Sequence, residues 1–178
     1  MLRYTLIFGS ISGLLVGGML WLGVTLLAGE NGGGSQLFGY LSMLVALSFV
    51  FVGVKRYRDI EKGGVIRFWP ALGLGLLVSV MASLFYVAAW EAYLAVSGGD
   101  WMTNYIEAEI ASREAAGVPG EEIATFRDQM QQMAEMYANW WFRIPLTMAE
   151  ILPVGLLVSI LSAALLRNPK FLPRQTVA

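Results

Sequence analysis

The chain has 178 residues, 57% hydrophobic and 14% charged, with net charge −1 and mean hydropathy +0.61. A soluble domain carries about 25% charged residues, so residues 1–178 read as a single membrane domain, and the near-neutral charge without a basic face argues against nucleic acid as a partner. Cys and His are both absent. That removes thiol nucleophiles, thiolate metal sites and the commonest general base, so no enzyme activity, cofactor or metal is expected.

Four stretches approach the roughly 20 apolar residues that cross a bilayer: about 4–28, 37–54, 69–96 and 144–166. The expected fold is therefore an all-α integral membrane bundle of four transmembrane helices. The first stretch exceeds the apolar core of a typical signal peptide, about 7–15 residues. Leu26, not a small residue, stands three places before the small-residue site near Ala28, so this stretch is expected to stay as a span. It carries Gly9, Gly13 and Gly17 at four-residue spacing. In lipid, such stripes let backbones approach closely.

The first connection, GENGGGSQ, has no Lys or Arg. The loop after the second span holds Lys55, Arg56, Arg58, Lys62 and Arg67. Arg3 precedes the first span, and Arg167, Lys170 and Arg174 follow the last. With four spans all three basic sites share one side, and the positive-inside rule makes that side, with both termini, cytoplasmic. Lys55, Arg56 and Arg58 are also candidates for contact with anionic headgroups of the membrane lipids.

The third span carries a second small-residue stripe, Gly75, Ser79 and Ser83. Residues 97–143 follow, with eight acids: Asp100, Glu107, Glu109, Glu114, Glu121, Glu122, Asp128 and Glu135. Helix formers run from Trp101 to Ala116, with Asp100 as a candidate N-cap. GVPG interrupts them at Gly117 to Gly120, and a second helix follows. Its apolar residues Ile123, Phe126, Met130, Met133, Tyr137 and Trp140 recur at three and four. Residues 97–143 thus read as an external acidic helical hairpin, with Trp101, Trp140 and Trp141 at headgroup level. The run Met130, Met133, Met136 precesses around its helix, which suits an apolar face better than a soft-metal site.

The last span holds Gly155, Ser159 and Ala163. All three stripes read as helix-packing faces, within one bundle or at the seam of a homo-oligomer or larger membrane complex. GLLVS occurs both at Gly75 and at Gly155, too short a match to establish a repeat.

The segments FGYLSMLVALSFVFVGVKRYRD, GGVIRFWPAL, YVAAWEAYL and EILPVGLLVSILSAALLR follow one another in this order between Phe38 and Arg167. Together the chain resembles an uncharacterised bacterial membrane-protein family, domain of unknown function 4199. The resemblance implies a small bacterial inner-membrane protein with four spans and a polar insertion before the last. It implies no activity.

Glu91 and Glu150 stand inside spans, where an ionisable group costs a few kcal/mol or more. Glu91 is five residues before Val96 and Glu150 six after Ile144. Both are expected roughly 8–9 Å below the outer surface, at one level. Three roles fit. Arg143 lies seven residues before Glu150 on nearly the same face, so it is expected to reach one or both acids, with Glu150 its first partner and Thr147 adding a hydrogen bond. Alternatively the two acids form a proton or cation site, where Pro153 kinks the helix and frees a carbonyl near Ala149. Or they recognise an amine-bearing substrate, a lipid headgroup or a partner's Arg or Lys. The expected function is that of an accessory or structural membrane component, and the rival is a small transporter or proton- or cation-coupled protein.

Reporter fusions at Ala178 and beside Gly117 should report opposite sides of the membrane. The same side for both would break the four-span topology.

Overall fold

A computed structural model describes residues 1–26, 36–98 and 101–174. The first connection, the end of the first span at Ala28 and the candidate N-cap Asp100 lie outside the described residues. Six helices follow one another: α1 (Leu2–Leu26), α2 (Gln36–Glu61), α3 (Phe68–Val96), α4 (Trp101–Ala115), α5 (Gly120–Tyr137) and α6 (Trp140–Leu166). Among the described residues there is no strand. Helices α1, α2, α3 and α6 are long and apolar enough to cross a membrane. Their outward faces keep large apolar side chains such as Leu14, Leu41, Leu84 and Leu161 exposed. That pattern suits a hydrocarbon solvent and not water. The protein is an all-α, multi-pass membrane bundle.

The element ends follow local chemistry. Pro70 falls in the first turn of α3, where its missing N–H would have had no helical partner. Gly117 has φ +74, and the Val118 N–H bonds the Arg113 carbonyl, the left-handed turn that closes α4. Glu121 and Glu122 occupy the first turn of α5, where the helix dipole favours acids. Two spans are longer than hydropathy indicates. Helix α2 continues past Val54 to Glu61. Helix α6 starts at Trp140, four residues before Ile144. It runs unbroken through Pro145 and Pro153, so the kink expected at Pro153 does not end or divide it.

The spans form a ring in the order α1, α2, α6, α3, each packed on its two neighbours. The small-residue stripes are the contacts inside this ring. A Cβ added to Gly9 would stand 2.6 Å from the Met81 Cβ, and one added to Gly13 would stand 2.5 Å from the Phe85 Cβ. At Gly17 it would meet the Ala89 Cβ at 3.0 Å. The first stripe therefore seats α1 on α3. The other two stripes face each other: Gly75 lies against Ser159, and Gly155 against Ser79. The Ser79 and Ser159 hydroxyls lie 3.3 Å apart, and Ser159 also donates to the Gly155 carbonyl at 2.7 Å. Ser12 of α1 donates to the Ala46 carbonyl of α2 at 2.7 Å, and Trp21 Nε1 donates to the Ala89 carbonyl of α3 at 3.0 Å. Helix–helix hydrogen bonds and close backbones replace the hydrophobic drive that lipid does not supply.

Helices α4 and α5 pack on each other as a hairpin at the end of the bundle where α3 stops and α6 begins. Ile110 and Ile123 are buried between them. Arg113 stacks over the Phe126 ring, 3.9 Å from its centroid.

Gly13→Leu should lower stability in detergent by about 1–3 kcal/mol, the cost of overpacking a close contact. Gly18→Leu, where a Cβ meets nothing within 4 Å, should stay within ~0.5 kcal/mol of the parent. Thermal denaturation of the two variants side by side checks the assignment.

Candidate functional site

The third and sixth helices run antiparallel on one register. Ser79 meets Gly155; twelve residues further along α3 is Glu91, and twelve back along α6 is Arg143. The two meet. Arg143 Nε donates to Glu91 Oε1 and its Nη2 to Oε2, both at 2.6 Å, a bidentate pair. Arg143 Nη1 also donates to the Tyr137 carbonyl at the end of α5, 3.0 Å away. One guanidinium therefore ties α3, α5 and α6 together. Trp90 adds a second tie, donating from Nε1 to the Tyr137 hydroxyl. Burial pushes the Tyr137 phenol up from its ordinary range, so it stays neutral at physiological pH.

This geometry corrects the expected pairing. Glu91, not Glu150, is the partner of Arg143. The reason is depth. Arg143 is already within α6, which begins at Trp140, and Glu150 lies seven residues further along the same helix, about 10 Å deeper at 1.5 Å per residue. There it meets Tyr86, whose hydroxyl donates to Glu150 Oε2 at 3.0 Å. The two carboxylates do not form a shared site. Thr147 is buried and its hydroxyl bonds the Arg143 carbonyl at 2.9 Å, a bond along its own helix and not to either acid.

Each carboxylate lines its own cavity. Glu150 lines one of about 550 Å³. Its walls come from the ends of α1 and α2 (Met19, Leu20, Phe38, Ser42), from α3 (Tyr86, Trp90), from α6 (Leu146) and from the hairpin (Trp101, Tyr105, Met133, Tyr137). Glu91 and Arg143 line a second cavity of about 510 Å³. Trp101, Met102 and Tyr137 line both, and so form the wall between them. Trp101 packs edge-on against Trp90, with ring centroids 4.9 Å apart, and stacks on Tyr105. It belongs to an aromatic cluster with Trp90, Tyr105 and Tyr137. Trp140 and Trp141 remain exposed. Met133 lines the first cavity while Met136 is exposed, so the methionine run does not converge.

The basic cluster of α2 is also reassigned in part. Arg58 is fully buried. Its guanidinium bonds Asp59 Oδ1 at 2.7 Å and the carbonyls of Phe171 and Leu172, fastening the segment after α6 to α2. Lys55 pairs with Asp59 at 2.6 Å. Arg58 is thus no headgroup contact, because one carboxylate and two carbonyls enclose it, while Lys55 stays partly exposed. Arg56 is exposed.

Hydropathy reasoning missed the aromatic lining. Its signal was the spacing: Tyr86 and Trp90 continue, at three and four, the line of Ser79 and Ser83 along α3.

Residues 7–168 match the family model described as Protein of unknown function (DUF4199). The chain belongs to this family. No curated protein and no solved structure matches it. Membership in the DUF4199 family covers all four spans and the hairpin, but brings no activity with it, so function has to be argued from the site.

Arg143→Ala should lower stability by about 1–3 kcal/mol, because it strands the Glu91 carboxylate and releases the α5 carbonyl. Glu150→Gln keeps an acceptor for Tyr86 and should change stability by less than ~0.5 kcal/mol. Equal losses in thermal denaturation would contradict the pairing.

Proposed function

We propose that this protein is a non-enzymatic accessory component of the bacterial cytoplasmic membrane that holds a small, largely apolar ligand beneath its helical hairpin. The supporting observation is the cavity of about 550 Å³, walled by all four spans and capped by α4 and α5. Its volume falls in the range of about 300–1,000 Å³ usual for small-molecule sites. Its lining is apolar and aromatic, with a single carboxylate among the described residues, Glu150. Hydrogen bonds and an ion pair hold the hairpin end on α3, so the pocket is pre-formed.

Orientation rests on charge. Lys62, Arg67, Arg167 and Lys170 gather at the end opposite the hairpin. The positive-inside rule then puts both termini in the cytoplasm and the hairpin outside. The ligand would enter from the outer leaflet or the space beyond it. A transporter would route its substrate past both membrane acids. Glu91 and Glu150 line separate cavities divided by Trp101, Met102 and Tyr137, which supports retention over passage.

Gly39 lines the cavity, and a Cβ there meets nothing within 4 Å. Gly39→Phe should therefore fill the pocket without clash. Native mass spectrometry of protein released from detergent should find one bound small molecule per wild-type chain and none on Gly39→Phe. Identical spectra for the two would remove the ligand-binding function.

A further inference from the structure

Resting on that ligand-binding reading, we infer that the cavity is selective for an organic cation: one ammonium-like charge on a compact apolar body, without a phosphate.

Three observations converge. The first is a carboxyl group without a cationic side chain. Among the described residues, Glu150 is the one carboxylate lining the cavity, and no Lys or Arg lines it. The nearest guanidinium along its helix, Arg143, is engaged by both oxygens of Glu91 and by the Tyr137 carbonyl, and lines the other cavity. The second is the state of the carboxylate. Tyr86 donates to Oε2. Oε1 has no donor among the described residues, and the side chain is accessible. Tyr86 thus orients the group while one oxygen stays available. The third is the aromatic wall. Phe38, Tyr86, Trp90, Trp101, Tyr105 and Tyr137 all line the same space. Aromatic rings attract a weakly hydrated cation through their quadrupoles, and the attraction grows where water is scarce.

The same features disfavour the alternatives. An anion meets a carboxylate and no cationic side chain. A phosphate-bearing zwitterion could seat its ammonium here but would bury its phosphate among rings and methionines without a cationic side chain to meet it. A neutral apolar molecule fits the volume but leaves Glu150 with only Tyr86. A rigid, permanently charged cation satisfies carboxylate and rings together and needs no proton.

Tetraphenylphosphonium is a suitable probe, with tetraphenylborate as the anion of matching shape and triphenylphosphine oxide as the neutral comparator. Titration calorimetry of the full chain in dodecyl maltoside, against a detergent blank, reads each one. The wild type should bind tetraphenylphosphonium one to one, at least tenfold tighter than the oxide, with no binding of the borate. Glu150→Gln should weaken the phosphonium at least tenfold and leave the oxide unchanged. Leu146→Lys places an ammonium one turn from Glu150 within the lining and should abolish phosphonium binding, a second test that does not remove the carboxylate. Equal affinity of the wild type for phosphonium and oxide would overturn cation selectivity. So would undiminished phosphonium binding by either variant, or no phosphonium binding by the wild type. The mass-spectrometric comparison with Gly39→Phe is independent of these outcomes. Loss of selectivity with that comparison intact defeats the cation and keeps the binding protein; failure of the comparison defeats both.

Discussion

The contact between Gly75 and Ser159, repeated between Ser79 and Gly155, sets the level at which α3 and α6 pass each other. Two antiparallel helices in lipid can slide with little change in buried apolar area, since lipid tails are as apolar as Leu. Here a glycine on each helix receives a serine from the other. A slide of one residue would rotate Cβ atoms into both backbones. Every polar interaction at the hairpin end inherits this register. Glu91 reaches Arg143 because both lie twelve residues from the same contact. Tyr86 reaches Glu150 for the same reason, one turn and a half nearer to it.

The few charges of this apolar chain are treated in two ways. Arg58 and Arg143 are each surrounded by acceptors: Arg58 by a carboxylate and two carbonyls of the segment after α6, Arg143 by Glu91 and one carbonyl of α5. Arginine suits this use, because its planar fork serves several acceptors at once and stays charged. Both residues fasten a peripheral segment to the bundle, one at each end. Glu150 is different. It has a single neutral donor and opens onto a cavity. Its one bond, from Tyr86, ties α3 to α6 and leaves the other oxygen to the cavity.

The hairpin completes the cavity more than it decorates the bundle. Trp101, at the first residue of α4, and Tyr137, at the last of α5, close it over Trp90. The acids of the hairpin lie on helices whose apolar sides turn to each other and to the spans, so the charged side is left to solvent.

Local chemistry decided much of this protein, and it was legible in one dimension. Hydropathy located four spans, Gly117 and Pro119 located the hairpin turn, and four-residue spacing located the packing stripes. Each of these depends on neighbours within a few turns of one helix. The choice of partners was not legible in this way. Counting depth from Ile144 set Glu150 level with Glu91, but α6 starts at Trp140, and the true level follows from a glycine–serine contact between helices eighty residues apart in sequence. Arg58 reads in sequence as a candidate headgroup contact, but its guanidinium is taken by the carbonyls of Phe171 and Leu172. The aromatic cavity arises from six helix segments meeting at one end. Periodicity gives a side chain its face, but its depth and its partner depend on how helices slide and turn against each other, and only their packing in three dimensions settles that.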